Sequence, residues 1–368
     1  MKRIVLIQVM LCISLVAMAQ KVQRVLAPGQ EPVKFTTRRD LAPGQYAYRL
    51  DSIVIRSKYD VFTESYQYDE QGRIVQRIQK SVESDGENKA IRRKSLYRYD
   101  ERGYMTEEDV YDDKDMLITK NRVTYNAEGK PLVKEQTDYN ANEKQSMYRY
   151  TYTYDRRGNL VEEKCEDIPL KQMREFNGKS KTTYAYNSRN QKTEEVMYGY
   201  KYNEDEFFPI ITFKMKYDKK GRVSHQTTIT STGHGEDGLS ESFIEYTEQN
   251  GQVEREQRKH INSRDDNWKV DVDNRSYDTY GNLVREDHEE GNQYKGSTNY
   301  YYDLTTKAEN VMGLGLYGKP GMEFLKNQAL RATQGYKYRI MRINTTNAEG
   351  DFEALSDDTR FYYSEIKE

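Results

Sequence analysis

Tyr148-Arg149-Tyr150-Thr151-Tyr152-Thr153-Tyr154 alternates without a break, tyrosine on one face and polar residues on the other. Period two is the signature of a β-strand with two unlike faces. The run ends in Asp155-Arg156-Arg157-Gly158-Asn159-Leu160, and the same punctuation recurs along the chain. An Asp or Asn stands at Asp69, Asp100, Asn126, Asp155, Asn187, Asp218 and Asp278. Three residues later come Gly72, Gly103, Gly129, Gly158, Asn190, Gly221 and Gly281. A displaced copy, Tyr246-Thr247-Glu248-Gln249-Asn250-Gly251, fills the long gap. Counting it, successive third positions lie 31, 26, 29, 32, 31, 30 and 30 residues apart.

Each residue type has a task. The carboxylate of the first turn residue accepts backbone N–H groups two residues on, and glycine then takes a left-handed conformation that closes a hairpin with a bulge. A side chain at that glycine costs about 1–2 kcal/mol. Asn190 is the replacement best suited to the same conformation. Second, variable turns are expected at Ser84-Asp85-Gly86-Glu87, Asp112-Asp113-Lys114, Asn140-Ala141-Asn142, Phe176-Asn177-Gly178, residues 233–238, Arg264-Asp265-Asp266-Asn267 and Glu289-Glu290-Gly291-Asn292. Two strands of about 11 residues per repeat span about 35 Å each.

Eight units predict about sixteen antiparallel strands, in a sheet too long to stay flat. The expected fold is all-β: a repetitive hairpin meander forming an open, curved, superhelical sheet, with a β-propeller as the alternative. Stacked in register, its tyrosines are expected to form aromatic ladders. At this repeat number the sheet is expected not to close. Residues 20–50 read as an extended leader carrying Pro28, Pro32 and Pro43, and 51–310 as the repeat domain. Residues 311–368 read as a cap, with a short helix at 322–333 covering the last sheet edge and closing strands at 336–343 and 361–366.

Composition agrees with a thin sheet. Of the 35% hydrophobic residues, 33 are Tyr and only 10 are Phe, and tyrosine covers apolar neighbours while keeping its hydroxyl wet. The 32% charged residues sum to −2. That balance gives no electrostatic reason for a nucleic-acid partner.

Met1-Lys2-Arg3, the apolar stretch 4–19 and Ala17-Met18-Ala19 have the form of a cleavable signal peptide (residues 1–19), followed by Gln20. The expected destination is the periplasm, the outer surface or the extracellular space. No later run is long enough for a membrane-spanning helix. Cys165 is the one cysteine past the signal, so no internal disulfide is expected.

Tyr-x-Tyr-Asp-x-x-Gly-Asn/Arg-Leu, as in residues 152–160, resembles the YD repeats of the Rhs family of secreted bacterial proteins, over roughly residues 66–283. The whole chain resembles the secreted YD-like proteins of Bacteroidota. The resemblance implies export and β-architecture, and allows a toxin-associated shell fragment as one reading.

Candidate chemistry is sparse. His225, His234, His260 and His288 lie in different repeats without metal-ligand spacing, and Cys165 has no histidine partner. Gly313-Leu314-Gly315-Leu316-Tyr317-Gly318-Lys319 matches a phosphate-loop string, but Pro320 replaces the magnesium-binding hydroxyl and no β-α-β pattern surrounds it. No catalytic residue, cofactor or metal is expected. The expected function is a non-catalytic scaffold or binding protein of the cell envelope, its ligand a glycan or an envelope protein. Phe207, Phe208 and Trp268 are the candidate contacts, and a carboxylate-dependent hydrolase of glycosidase type is the alternative.

Overall fold

Strand β21 (Phe352–Glu365) pairs antiparallel with β1 (Tyr48–Ser57), and that pairing closes the sheet on itself. The computed structural model describes residues 45–57, 60–83, 91–140, 143–168, 178–201, 205–231, 238–262, 267–291, 293–314, 336–349 and 352–366.

Between β1 and β21 the chain runs as a meander. Its first half is β2 (Asp60–Tyr68), β3 (Ile74–Glu83), β4 (Ile91–Tyr99), β5 (Met105–Tyr111), β6 (Leu117–Tyr125), β7 (Pro131–Asn140), β8 (Glu143–Tyr154), β9 (Leu160–Asp167) and β10 (Lys179–Tyr186). Then follow β11 (Lys192–Lys201), β12 (Glu206–Tyr217), β13 (Val223–Thr230), β14 (Gly238–Gln249), β15 (Gln252–Asn262), β16 (Lys269–Tyr277), β17 (Leu283–Glu290) and β18 (Gln293–Lys307). A turn of 3-10 helix (Ala308–Asn310) leads to the two-residue β19 (Val311–Met312), which adds in parallel to β1. Strand β20 (Tyr338–Glu349) pairs with both β18 and β21. Twenty strands thus form a closed antiparallel barrel, with β19 outside the ring.

This corrects the open superhelix, and the propeller with it, since one continuous sheet has no separate blades. It also corrects the cap: β20 and β21 are staves of the wall. The helix expected at 322–333 lies outside the described residues, as do the signal peptide and most of the leader. Periodicity missed the β1–β2 hairpin, which lacks the full Tyr-Asp-x-x-Gly string, and gave the closing strands at β20 and β21 only as a cap. It also says which strands are neighbours, not how far curvature accumulates. Here a bulge follows nearly every repeat turn, as at Gln67/Tyr68, Arg98/Tyr99, Thr153/Tyr154 and Ser276/Tyr277. Each bulge adds twist of the same hand until the ends meet.

The turns have the expected chemistry. At Asp155 the Oδ1 atom accepts the N–H groups of Arg157 and Asn159, both at 2.8 Å, and Gly158 takes φ +82°. Asn190 adopts φ +59°. The displaced copy differs: Asn250 and Gly251 both have positive φ between paired Gln249 and Gln252, a two-residue hairpin loop. The same Asp turn also occurs at Asp112, with Asp115 in the left-handed place.

Tyrosines do not stack on one another as a ladder. The register sets Tyr154, Tyr152 and Tyr150 opposite Leu160, Glu163 and Cys165. The tyrosine before each turn instead leans over the preceding strand and donates its hydroxyl to a backbone carbonyl. Among the described residues ten such bonds ring the barrel, from Tyr68, Tyr99, Tyr125, Tyr154, Tyr186, Tyr217, Tyr246 and Tyr277 and, without a repeat turn after them, Tyr302 and Tyr363. Cations cover many ring faces, such as Lys134 over Tyr150 and Arg222 over Tyr246.

The main apolar core is local. Leu50, Ile53, Tyr66, Ile74, Tyr97, Met105, Val311, Leu314, Ile340 and Phe361 form it on the tyrosine face. Elsewhere both faces carry charges at mid-strand. Glu135 and Arg149 pair in register on one face, Arg275 and Glu286 on the other.

Candidate functional site

With ten hydroxyls bound to carbonyls and many rings capped by cations, most tyrosines are spent on holding the wall. Open aromatic surface therefore has to be sought on the opposite face. Counting back from Tyr246, the residues Glu245, Phe243 and Glu241 of β14 fall on that face. Phe243 is an aromatic among charges, and 43% exposed.

Its neighbours are set by register. His225 of β13 lies directly opposite on one side and Lys259 of β15 on the other. The His225 imidazole stacks on Phe243 at 4.4 Å between centroids and 8° between planes. Trp268, just before β16, meets Phe243 at 5.7 Å and a 52° tilt, and is 38% exposed. Lys259 Nζ sits 5.3 Å from the Trp268 ring centroid. Glu241 Oε1 lies 3.7 Å from His225 Nε2. Three rings thus cross β13–β16 as a row, with the Glu241 carboxylate and the Lys259 ammonium at its margins.

Such a row offers flat apolar faces for the C–H groups of a sugar ring, plus polar groups for its hydroxyls. Nothing in the row resembles a nucleophile held by a base.

Of the sequence candidates, Trp268 belongs to this row. Phe207 and Phe208 do not, and they point to opposite faces of β12. Phe207 packs on Tyr200 at 5.3 Å, under Lys181 at 4.8 Å. Phe208 lies across from Gly199, where a Cβ would press on its ring at 2.9 Å. Residues 202–204 of that tip lie outside the described residues. Phe243 and His225 were missed: strand parity alone places Phe243 on the face opposite the tyrosines, whereas His225 reaches that face only through the bulge at Lys216/Tyr217.

Other chemistry-bearing groups are built into the wall. Glu64 is fully buried, and burial raises its carboxyl above the ordinary range. It accepts hydrogen bonds from Tyr66 Oη at 2.7 Å and Gln79 Nε2 at 3.1 Å. Burial likewise pushes the Cys165 thiol up, keeping it protonated. His288 Nδ1 and His260 Nδ1 face Asp273 and Asp271, at 2.7 and 3.4 Å. Among the described residues no group of three or more His, Cys, Asp or Glu is placed to hold a metal ion. His234, with all of residues 232–237, lies outside them, as do residues 263–266 and the phosphate-loop string beyond Leu314.

No protein-family model and no curated relative matches the chain. Among solved structures it is similar to the crystal structure of TcdB2-TccC3-TEV, at 13% identity and a TM-score of 0.36, over 81% of this chain and 14% of that one. It is also similar to a porin-like protein from Bacteroides uniformis, at 10% identity and a TM-score of 0.29, over 88% of this chain and 100% of that one. TcdB2-TccC3-Cdc42 matches at 10% identity and a TM-score of 0.17, over 83% and 23%. This chain therefore spans only a small part of the two TcdB2-TccC3 chains. The class defined by its own fold is a closed, single-sheet antiparallel β-barrel. No helix among the described residues is long and apolar enough to cross a membrane.

Proposed function

We propose that the protein is an exported, non-catalytic β-barrel of the bacterial envelope that binds glycan on the His225–Phe243–Trp268 row. The observation that carries this reading is the exposed row itself, on a wall whose other aromatics are largely engaged. Export is supported by the signal-like residues 1–19, and the Tyr-Asp-x-x-Gly string is in keeping with secreted YD-repeat proteins. The barrel works in water rather than as a lipid-embedded porin. A membrane-spanning wall needs one face with an apolar band about 25 Å tall, and here charged pairs within the strands, Arg149–Glu135 on one face and Arg275–Glu286 on the other, interrupt both faces.

Trp268 is the one tryptophan in the chain, so its fluorescence reports on the row directly. The barrel without residues 1–19 is applied to a glycan array, and the hits are titrated by tryptophan fluorescence. Saturable quenching, weakened at least tenfold by Phe243→Ala and with the sugar recovered intact, is the expected result. An array without hits, capture of a protein partner through the same row, or release of sugar product would each overturn the reading.

A further inference from the structure

We propose that the row selects acidic glycans, sugars bearing a carboxylate or sulfate, and that Lys259 is its specificity-determining residue. This rests on the reading of the row as a glycan platform. The argument begins with what surrounds Lys259. Its in-register partners are Phe243 and Val270, both apolar, and it lies exposed. Several other lysines over aromatic rings have a polar partner as well: Lys94 pairs with Asp115 at 2.6 Å, Lys179 with Asp205 at 3.5 Å, and Lys130 donates to the Gly158 carbonyl at 2.6 Å, while Lys181 is shared between the Tyr198 and Phe207 rings. Lys259 has no carboxylate within ion-pair distance among the described residues. Of the two β14 acids that flank Phe243, Glu241 is turned toward His225.

A lysine set among apolar groups, with its ammonium against the exposed Trp268 ring, has donors left for an anion. A sugar ring lying on Phe243 and Trp268 brings an equatorial carboxylate or sulfate to that edge. Aromatic stacking then supplies affinity for any pyranose, and the ammonium supplies the preference for a charged one. A neutral sugar would leave the ammonium solvated and gain nothing from it.

Paired probes test this: oligogalacturonate against its methyl ester, and a chondroitin sulfate fragment against its desulfated, esterified form. Each is titrated by Trp268 fluorescence at two salt concentrations. The expected result is at least tenfold tighter binding of one acidic probe than of its neutralised partner, with the ratio falling as salt rises. Lys259→Gln should abolish the ratio while leaving the neutral probe's affinity in place, and Lys259→Arg should retain it. Equal binding of acidic and neutral probes, or a ratio that survives Lys259→Gln, overturns the proposal and leaves the platform reading standing. Absence of binding to every probe and to the array removes both. Matching circular dichroism and melting temperature for the variants confirm that folding is not the cause.

Discussion

Lys130 Nζ donates a 2.6 Å hydrogen bond to the carbonyl oxygen of Gly158, one repeat further along the rim. The bond belongs to a chain of such links. Arg157 Nη1 donates to Asn187 O at 2.9 Å, Gln191 Nε2 to Gly221 O at 3.3 Å, and Gln252 Nε2 to Gly281 O at 3.1 Å. The repeat glycine thus has two reasons to lack a side chain. Its φ is positive, and the neighbouring repeat's polar side chain occupies the space a Cβ would take.

The two reasons are separable. Gly103 has φ +86° with open space around it, so Gly103→Ala should cost only the conformational term, about 1–2 kcal/mol. Gly158→Ala also displaces Lys130, whose hydrogen bond adds about 1 kcal/mol. Gly178 has no positive φ, and a Cβ there meets the movable Asp167 carboxylate, so it should lose the least. Urea unfolding of the three variants should give the order Gly158, Gly103, Gly178. Equal losses at Gly158 and Gly103 would show that the rim contact carries no energy, and equal losses at Gly103 and Gly178 that the positive φ carries none.

Removing one hydroxyl from the tyrosine ring should be a small, repeatable injury. Tyr154→Phe deletes the 2.9 Å bond to the Pro131 carbonyl and keeps the ring, at a cost of about 1 kcal/mol. Tyr277→Phe, far around the barrel, deletes the equivalent bond to Val253. The two losses should add in the double variant, since the sites share no partner. Tyr362→Phe, 43% exposed, should change stability by under about 0.5 kcal/mol. Denaturant midpoints measured side by side decide the matter.

The repeat turns were legible because Asp, two intervening residues and Gly have one economical geometry, and Asp155–Gly158 adopts it. The strand faces were legible too, since alternation around Tyr150 and Tyr152 fixes parity. Closure was not. Whether β21 meets β1 depends on accumulated twist and on two hairpins, β1–β2 and β20–β21, that lack the full string. The site was half legible: Trp268 stands out as a lone tryptophan, but Phe243 gains meaning only once the hydroxyls of Tyr246 and its counterparts are seen to be occupied by Val223 and equivalent carbonyls.

Two carboxylates should pull stability in opposite directions with pH. Glu107 is held at about 2 by hydrogen bonds from Arg98 and, after its desolvation, from Lys120. Its contribution is complete above the unfolded value near 4.5 and is lost as pH falls through the folded value. Burial raises Glu64, so the folded chain binds a proton more readily than the unfolded one. Its contribution is complete below the unfolded value and is lost as pH rises through the folded one. Glu107→Gln should therefore flatten the acid limb of the stability profile. Glu64→Gln, which imitates the protonated acid, should gain on the wild type between pH 5 and 8 and not at pH 3. A Glu64→Gln variant that gains nothing between pH 5 and 8, or a Glu107→Gln variant with the wild-type acid limb, in chemical unfolding would refute the assignment.

Removing the last hairpin separates a stave from a cap. Deleting residues 336–368 takes away β20 and β21, leaving β1 and β18 without these register partners, such as Phe361 opposite Ile53 and Ile343 opposite Tyr300. The buried Ile340 and Phe361 leave the core with them. Two open edges facing water pair readily with other chains, so the truncated protein should elute as aggregate and lose cooperative unfolding. A dispensable cap would instead leave a monomer with a near-native melting curve. Size-exclusion chromatography with light scattering distinguishes the two, and a stable truncated monomer would show that the barrel does not depend on the β21–β1 seam.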